Sequence, residues 1–151
     1  MVEAVVAKRK RHIIAIDLDG TLIDNIWPQM GAWKPGAVDA IKRFQQEGYV
    51  VMVFTIRISP YWLDGKLRDP AQVERDVQAV RDKLDEAGLS SVLIWTKQGK
   101  PPFSRLIDDK AIHFPTPGSS RTWQRITEKV LVSLGAENPL YEDGEWGYEG
   151  V

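Results

Sequence analysis

A chain of 151 residues, 43% hydrophobic and 27% charged, has the size and composition of one globular domain able to bury its own core. A formal net charge of -1 gives no reason to expect polyanion binding from bulk charge, and the absence of cysteine excludes disulfides, thiolate metal ligands and cysteine nucleophiles. No apolar run approaches the ~20 residues of a bilayer span and the first dozen residues lack a signal-peptide core, so a cytoplasmic protein without membrane association is expected.

Short apolar runs alternate with longer amphipathic stretches, the pattern of βα units and a mostly parallel sheet. A basic arm at residues 1–11, containing Lys8 to Arg11, precedes the main domain at 12–135, and an acidic tail follows at 136–151. The first strand is expected at 12–17, where Ile13, Ile14, Ala15 and Ile16 form an apolar run suited to a strand buried on both faces. After Pro35, the residues Ala37, Val38, Ile41 and Phe44 recur at helical spacing, and Gly48 supplies a stop. A second strand is expected at 49–54. A loop with Pro60, Gly65 and Pro70 leads into a helix marked by Val73, Val77, Val80, Leu84 and Ala87, ending at Gly88. Strands at 92–95 and 105–108, a fifth at 111–114 and a closing helix at 119–134, with Trp123, Ile126, Val130 and Leu134 on one face, complete a βαβαββα order. The expected fold is a single α/β Rossmann-like domain with helices on both faces of the sheet.

In open parallel sheets the ligand site forms beyond the carboxyl ends of the strands. The polar residues there are Asp17, Asp19 and Thr21 after the first strand, Thr55 and Arg57 after the second, Lys100 after the third, and Asp108 with Asp109 after the fourth. The segment Asp17-Leu18-Asp19-Gly20-Thr21 combines two carboxylates, a turn-permitting glycine and a hydroxyl directly after a buried strand.

This segment resembles the signature of the haloacid-dehalogenase superfamily, and Thr55, the Lys100-Pro101 pair and Ile107-Asp108-Asp109 follow in the family's order. The resemblance covers roughly residues 13–114. It implies a Mg²⁺-dependent phosphatase in which Asp17 forms an aspartyl-phosphate and Asp19 moves protons. It places Mg²⁺ on Asp17, the backbone carbonyl of Asp19 and Asp108, with Asp109 holding a metal-bound water or positioning Lys100. Lys100, Thr55 and the backbone N–H groups around Leu18 and Gly20 would bind the phosphoryl oxygens, while Thr21 braces the loop. Retention of Asp19 points to phosphoester hydrolysis, with a phosphotransferase or a non-catalytic phosphate- or nucleic-acid-binding module as alternatives.

The loops at 22–34 and 56–69 are too short for a cap module, so the site is expected to be open unless a partner subunit of a homo-oligomer covers it. An open site is compatible with a sugar phosphate, a nucleotide, a polynucleotide end or a phosphoprotein. Trp27, Trp33, Tyr61 and Trp62 crowd these loops, as ring-stacking platforms or as packing. Arg57 contacts substrate phosphate or a neighbouring carboxylate, or is a solvated loop charge. His12 and His113 flank strands and are read as structural.

Overall fold

Four apolar residues in a row cannot alternate between core and water, and Ile13–Ile16 accordingly forms the interior strand β1 of the sheet. The computed structural model describes residues 12–115 and 118–134; the basic run at 8–11 and the acidic tail lie outside them. The other elements are α1 (Ala37–Gln46), β2 (Val50–Val53), a 3₁₀ turn (Ile56–Ile58), α2 (Pro70–Glu86), β3 (Leu93–Ile94), β4 (Arg105–Ile107) and α3 (Ser120–Leu134). Among the described residues no helix is long and apolar enough to cross a membrane.

The strands form one all-parallel sheet in the order β3-β2-β1-β4, flanked by helices. Ile14, Ile16, Val51 and Val53 point to one face and Ala15 and Met52 to the other, and all six are buried. Two successive right-handed crossovers stepping the same way put α1 and α2 on the same face. There Ile41 of α1 and Val80 and Leu84 of α2 join Ile14, Ile16, Val51 and Val53 in one cluster.

Helix boundaries follow local chemistry. Asp69 caps α2 by accepting from the Ala71 amide, with Pro70 in the first turn, so the helix begins before the apolar repeat that marks it in the sequence. It stops where Gly88 takes φ 74°, donating to Asp85 O at 3.0 Å while Leu89 donates to Leu84 O at 2.9 Å. That pair of bonds closes the helix, and a residue with a Cβ would hold this left-handed backbone only under strain.

The fifth strand expected at 111–114 is not formed. The open edge of β4 is left unpaired by this segment, and Pro115, which has no N–H, ends it. Phe114 instead packs against Trp123 of α3, ring centroids 4.9 Å apart. Along α3, Ile126 and Val130 are half-buried, whereas Trp123 and Leu134 are exposed.

Leu84 has 0% exposure at the centre of the cluster and Val132 has 78%. Leu84→Ala is therefore expected to cost about 2–5 kcal/mol in urea unfolding, and Val132→Ala less than ~0.5 kcal/mol.

Candidate active site

The register aligns the last residues of all four strands in one row: Ile94, Val53, Ile16 and Ile107. The ladder continues one step further, with Trp95 N–H donating to Val53 O at 2.9 Å, Phe54 N–H to Ile16 O at 3.0 Å and Asp17 N–H to Ile107 O at 2.9 Å. The chain winds outward from β1 to β2 to β3 and then returns to place β4 on the other side of β1. The reversal opens a crevice between β1 and β4, and Asp17 and Asp108 are the first residues past those two strands.

Carboxylate oxygens of Asp17, Asp108 and Asp109 all lie within 4.8 Å of one another. Oxygens on opposite sides of an octahedral Mg²⁺ stand ~4.2 Å apart, so these three can share such an ion with small adjustments, and an all-oxygen donor set suits a hard cation. The electrostatics agree. Burial, then the charge of Asp108, and then that of Asp109 push the Asp17 carboxyl up from 3.8 to about 7, against a lowering contribution from the Leu18 amide. A cation relieves that repulsion.

The loop after β1 is built to hold this cluster. The Thr21 hydroxyl lies 3.3 Å from Asp17 Oδ2 and accepts from the Asp109 amide at 3.1 Å, bracing one strand end against the other. Gly20 has φ 86°, and a Cβ there would sit 2.6 Å from Asp109 Oδ2. Both its backbone and its lack of a side chain are required. Leu22 and Ile23 are buried and anchor the loop in the core.

The remaining expected residues separate. Thr55 is buried, accepts from the Arg57 amide at 3.2 Å, and lines the cavity above the sheet, so its own proton is available to a ligand. The Gly20 amide is turned away from a phosphate, donating to Ile23 O at 2.8 Å, whereas the Leu18 amide lies beside the Asp17 carboxyl. Lys100 is exposed, 5.2 Å from the Phe103 ring, and is not part of the cavity wall. The lysines that do line it are Lys97 and Lys110, which the Lys-Pro pattern passed over although each lies just beyond a strand end.

The Asp19 side chain lies outside the three-carboxylate group, because Arg57 holds it. That guanidinium donates from Nε to Asp19 Oδ2 at 2.9 Å and from Nη2 to Asp19 Oδ1. It also donates to the carbonyls of Pro28 and Gln29, each at 2.9 Å, and stacks 4.4 Å from the Trp27 ring centre. Of the readings open for Arg57, the contact with a neighbouring carboxylate is the one formed, and its bidentate geometry is the strong form of such a pair. His12 is structural, with Nδ1 2.8 Å from Ser104 Oγ.

The cavity has a volume of about 660 Å³ and spans all four strand ends. Trp27, Tyr61 and Trp62 line it, as does Trp95 directly after β3, which the survey of loop aromatics missed. Trp33 does not: it packs against the core with the Lys83 ammonium 5.5 Å from its ring. Buried Arg68 lies 5.0 Å from the Trp62 ring and 5.9 Å from that of Trp27, and pairs with Asp76.

Two outcomes follow from the charge balance. Asp17 destabilises the metal-free fold fully above pH 7, and this penalty shrinks as pH falls toward 3.8, because the folded chain then keeps a proton that the unfolded chain binds less tightly. Asp17→Asn should thus raise the melting temperature in EDTA at pH 8, with a gain that fades between pH 7 and 4 in thermal scans. Gly20→Ala should lose about 1–2 kcal/mol from its left-handed backbone, and by displacing the Asp109 carboxylate should weaken Mg²⁺ binding, measured by calorimetry.

No family model and no curated protein matches the chain. Among solved structures it is similar to a conserved protein from Bacteroides thetaiotaomicron, at 20% identity and a TM-score of 0.47, over 85% of this chain and 99% of that one.

Proposed function

We propose that the protein is a Mg²⁺-dependent phosphohydrolase of the haloacid-dehalogenase type, cleaving phosphate monoesters through an aspartyl-phosphate on Asp17. The observation that carries this reading is the convergence of Asp17 with Asp108 and Asp109 at a topological reversal, inside a cavity that also holds Asp19 and Thr55. A phosphate monoester and a carboxylate repel each other; Asp17, Asp108 and Asp109 would hold a divalent cation, which would supply the charge neutralisation that lets them meet.

Asp17 attacks phosphorus with one carboxylate oxygen while the ester oxygen leaves and takes a proton from Asp19, which acquires that proton from solvent when one of its oxygens leaves Arg57. Asp19 then withdraws a proton from water as its oxygen attacks the same phosphorus, releasing inorganic phosphate and restoring Asp17. Thr55 donates to a phosphoryl oxygen, and Lys97 and Lys110 add positive charge along the wall in the role expected of Lys100.

Arg57 acts on Asp19 rather than on phosphate. Since it engages both oxygens of that carboxylate, proton transfer requires Asp19 to turn one oxygen toward the ester. Trp27 and two backbone carbonyls keep the guanidinium fixed, so the carboxylate is the moving part.

With p-nitrophenyl phosphate, turnover is expected with Mg²⁺ and absent in EDTA. Asp17→Asn should lose at least ~10³-fold in kcat, as expected when a nucleophile is removed. Activity at limiting Mg²⁺ should fall below pH 7 as protons compete with the ion for Asp17. No turnover with any divalent ion would leave a binding module in its place.

A further inference from the structure

Strand order divides the cavity into two chemically different halves. The acidic residues follow β1 and β4, on one side of the sheet, whereas Tyr61 and Trp62 follow β2 and Trp95 follows β3, on the other. Trp27 comes from the β1 loop but is carried toward the second half by its stack on Arg57. The metal and phosphate chemistry uses the acidic half with Thr55 and Lys97 from the second, and leaves the rings of that second half without a role. The aromatic half is a concave extension of the same cavity, and a site of about 660 Å³ is the size that holds a whole small molecule.

This wall is held in place. Arg57 and Arg68, each about 95% buried, stand against Trp27 and Trp62. The Trp95 indole donates to Gly99 O at 3.1 Å, and Gln98 donates to the Tyr61 hydroxyl at 3.2 Å, which ties the β3 loop to the β2 loop across the wall. Rings fixed in this way offer flat faces at low entropic cost. The Thr96 hydroxyl and Gln98 amide line the same half and are groups that pair with the polar edge of a heterocycle, an edge a simple phenol ester does not have.

We propose that the aromatic half is a base-binding subsite, and that the ester hydrolysed at Asp17 is a nucleoside monophosphate whose base lies among Trp27, Tyr61, Trp62 and Trp95. The proposal rests on the phosphohydrolase reading for its chemistry but not for its binding. The phosphate is drawn to the β1–β4 side and the ring to the β2–β3 side, with the sugar bridging the strand ends between them.

Adenosine has a base and no phosphate to lose, so it tests the wall independently of turnover. With the full chain, adenosine is expected to quench tryptophan fluorescence saturably at millimolar concentrations, and ribose is not. With Mg²⁺, adenosine monophosphate should exceed ribose 5-phosphate in kcat/KM by roughly 10- to 100-fold, the contribution of one stacked base. Trp62 is 46% exposed and its replacement does not open the core; Trp62→Ala should lower adenosine affinity about 10-fold and reduce the nucleotide-to-sugar ratio. Failure of adenosine to bind, a ratio near one, or a Trp62→Ala variant with unchanged adenosine affinity would each overturn the subsite. So would a preference for phosphotyrosine over phosphoserine larger than that for the nucleotide over ribose phosphate. If no phosphate ester is hydrolysed, the phosphohydrolase reading falls, and adenosine binding still decides the subsite.

Discussion

The hydrogen bond from the Asp17 amide to the Ile107 carbonyl is the contact on which the site depends. It extends the β1–β4 ladder by one residue, so the two strands end level and the side chains that follow them share one crevice. A shift of one residue in that pairing would turn Asp17 from one face of the sheet to the other and separate it from Asp108. The register of β1 against β2 is enforced from below by packing. Ile14, Ile16, Val51 and Val53 can all be buried against Ile41, Val80 and Leu84 only when the strands are in step. Hydrophobic burial in the core thereby fixes the position of charge at the rim.

Gathering three carboxylates opposes folding, and the loops around them are arranged to withstand it. Thr21 ties the β1 loop to the β4 end, and Gly20 leaves the room that the Asp109 carboxylate occupies. The buried guanidinium groups stand on the other side of the cavity. Two buried arginines there are multiply bonded, Arg57 to Asp19 and two carbonyls, and the terminal nitrogens of Arg68 to Asp76 and the carbonyls of Arg57 and Ser59. A buried guanidinium with several acceptors is tolerable where an unpaired one is not. Three carboxylates thus gather at one end of the cavity while the buried guanidinium groups are engaged elsewhere, an asymmetry that suits the acidic end to a cation.

Much of this was legible in the chain because the relevant signals are local. The apolar run at 13–16, the amphipathic repeats of α1 and α2 and the strand-end position of Asp17, Asp108 and Thr55 need no tertiary knowledge. What was not legible depends on pairs far apart in sequence. Whether Ala111 to Phe114 forms a strand turns on where the chain goes after β4, and Phe114 is drawn to Trp123 of α3 rather than to the open sheet edge. Lys100 was selected by a local pattern, yet the course of the loop after β3 directs Lys97 to the cavity instead. Trp33 and Trp27 are close in sequence and equally aromatic. Only the bridge between Ile23 and Trp33, which folds that part of the loop back on itself, sends one to the core and leaves the other at the mouth.

Arg57 illustrates how the two halves of the cavity are joined. Its side chain reaches from the end of β2 under the β1 loop, where it meets Asp19 on one side and the face of Trp27 on the other. The guanidinium cannot move without losing two carbonyl acceptors and the ion pair together, and a buried donor left unpaired costs about 1–3 kcal/mol or more. Trp27 therefore has a rigid backing, and a ring pressed against its free face meets a surface that does not yield. Asp19 sits on the opposite side of the same guanidinium, its carboxylate held through both oxygens. The unit that backs the aromatic wall is thus also the unit that sets where the Asp19 carboxylate rests, so wall and carboxylate share one support.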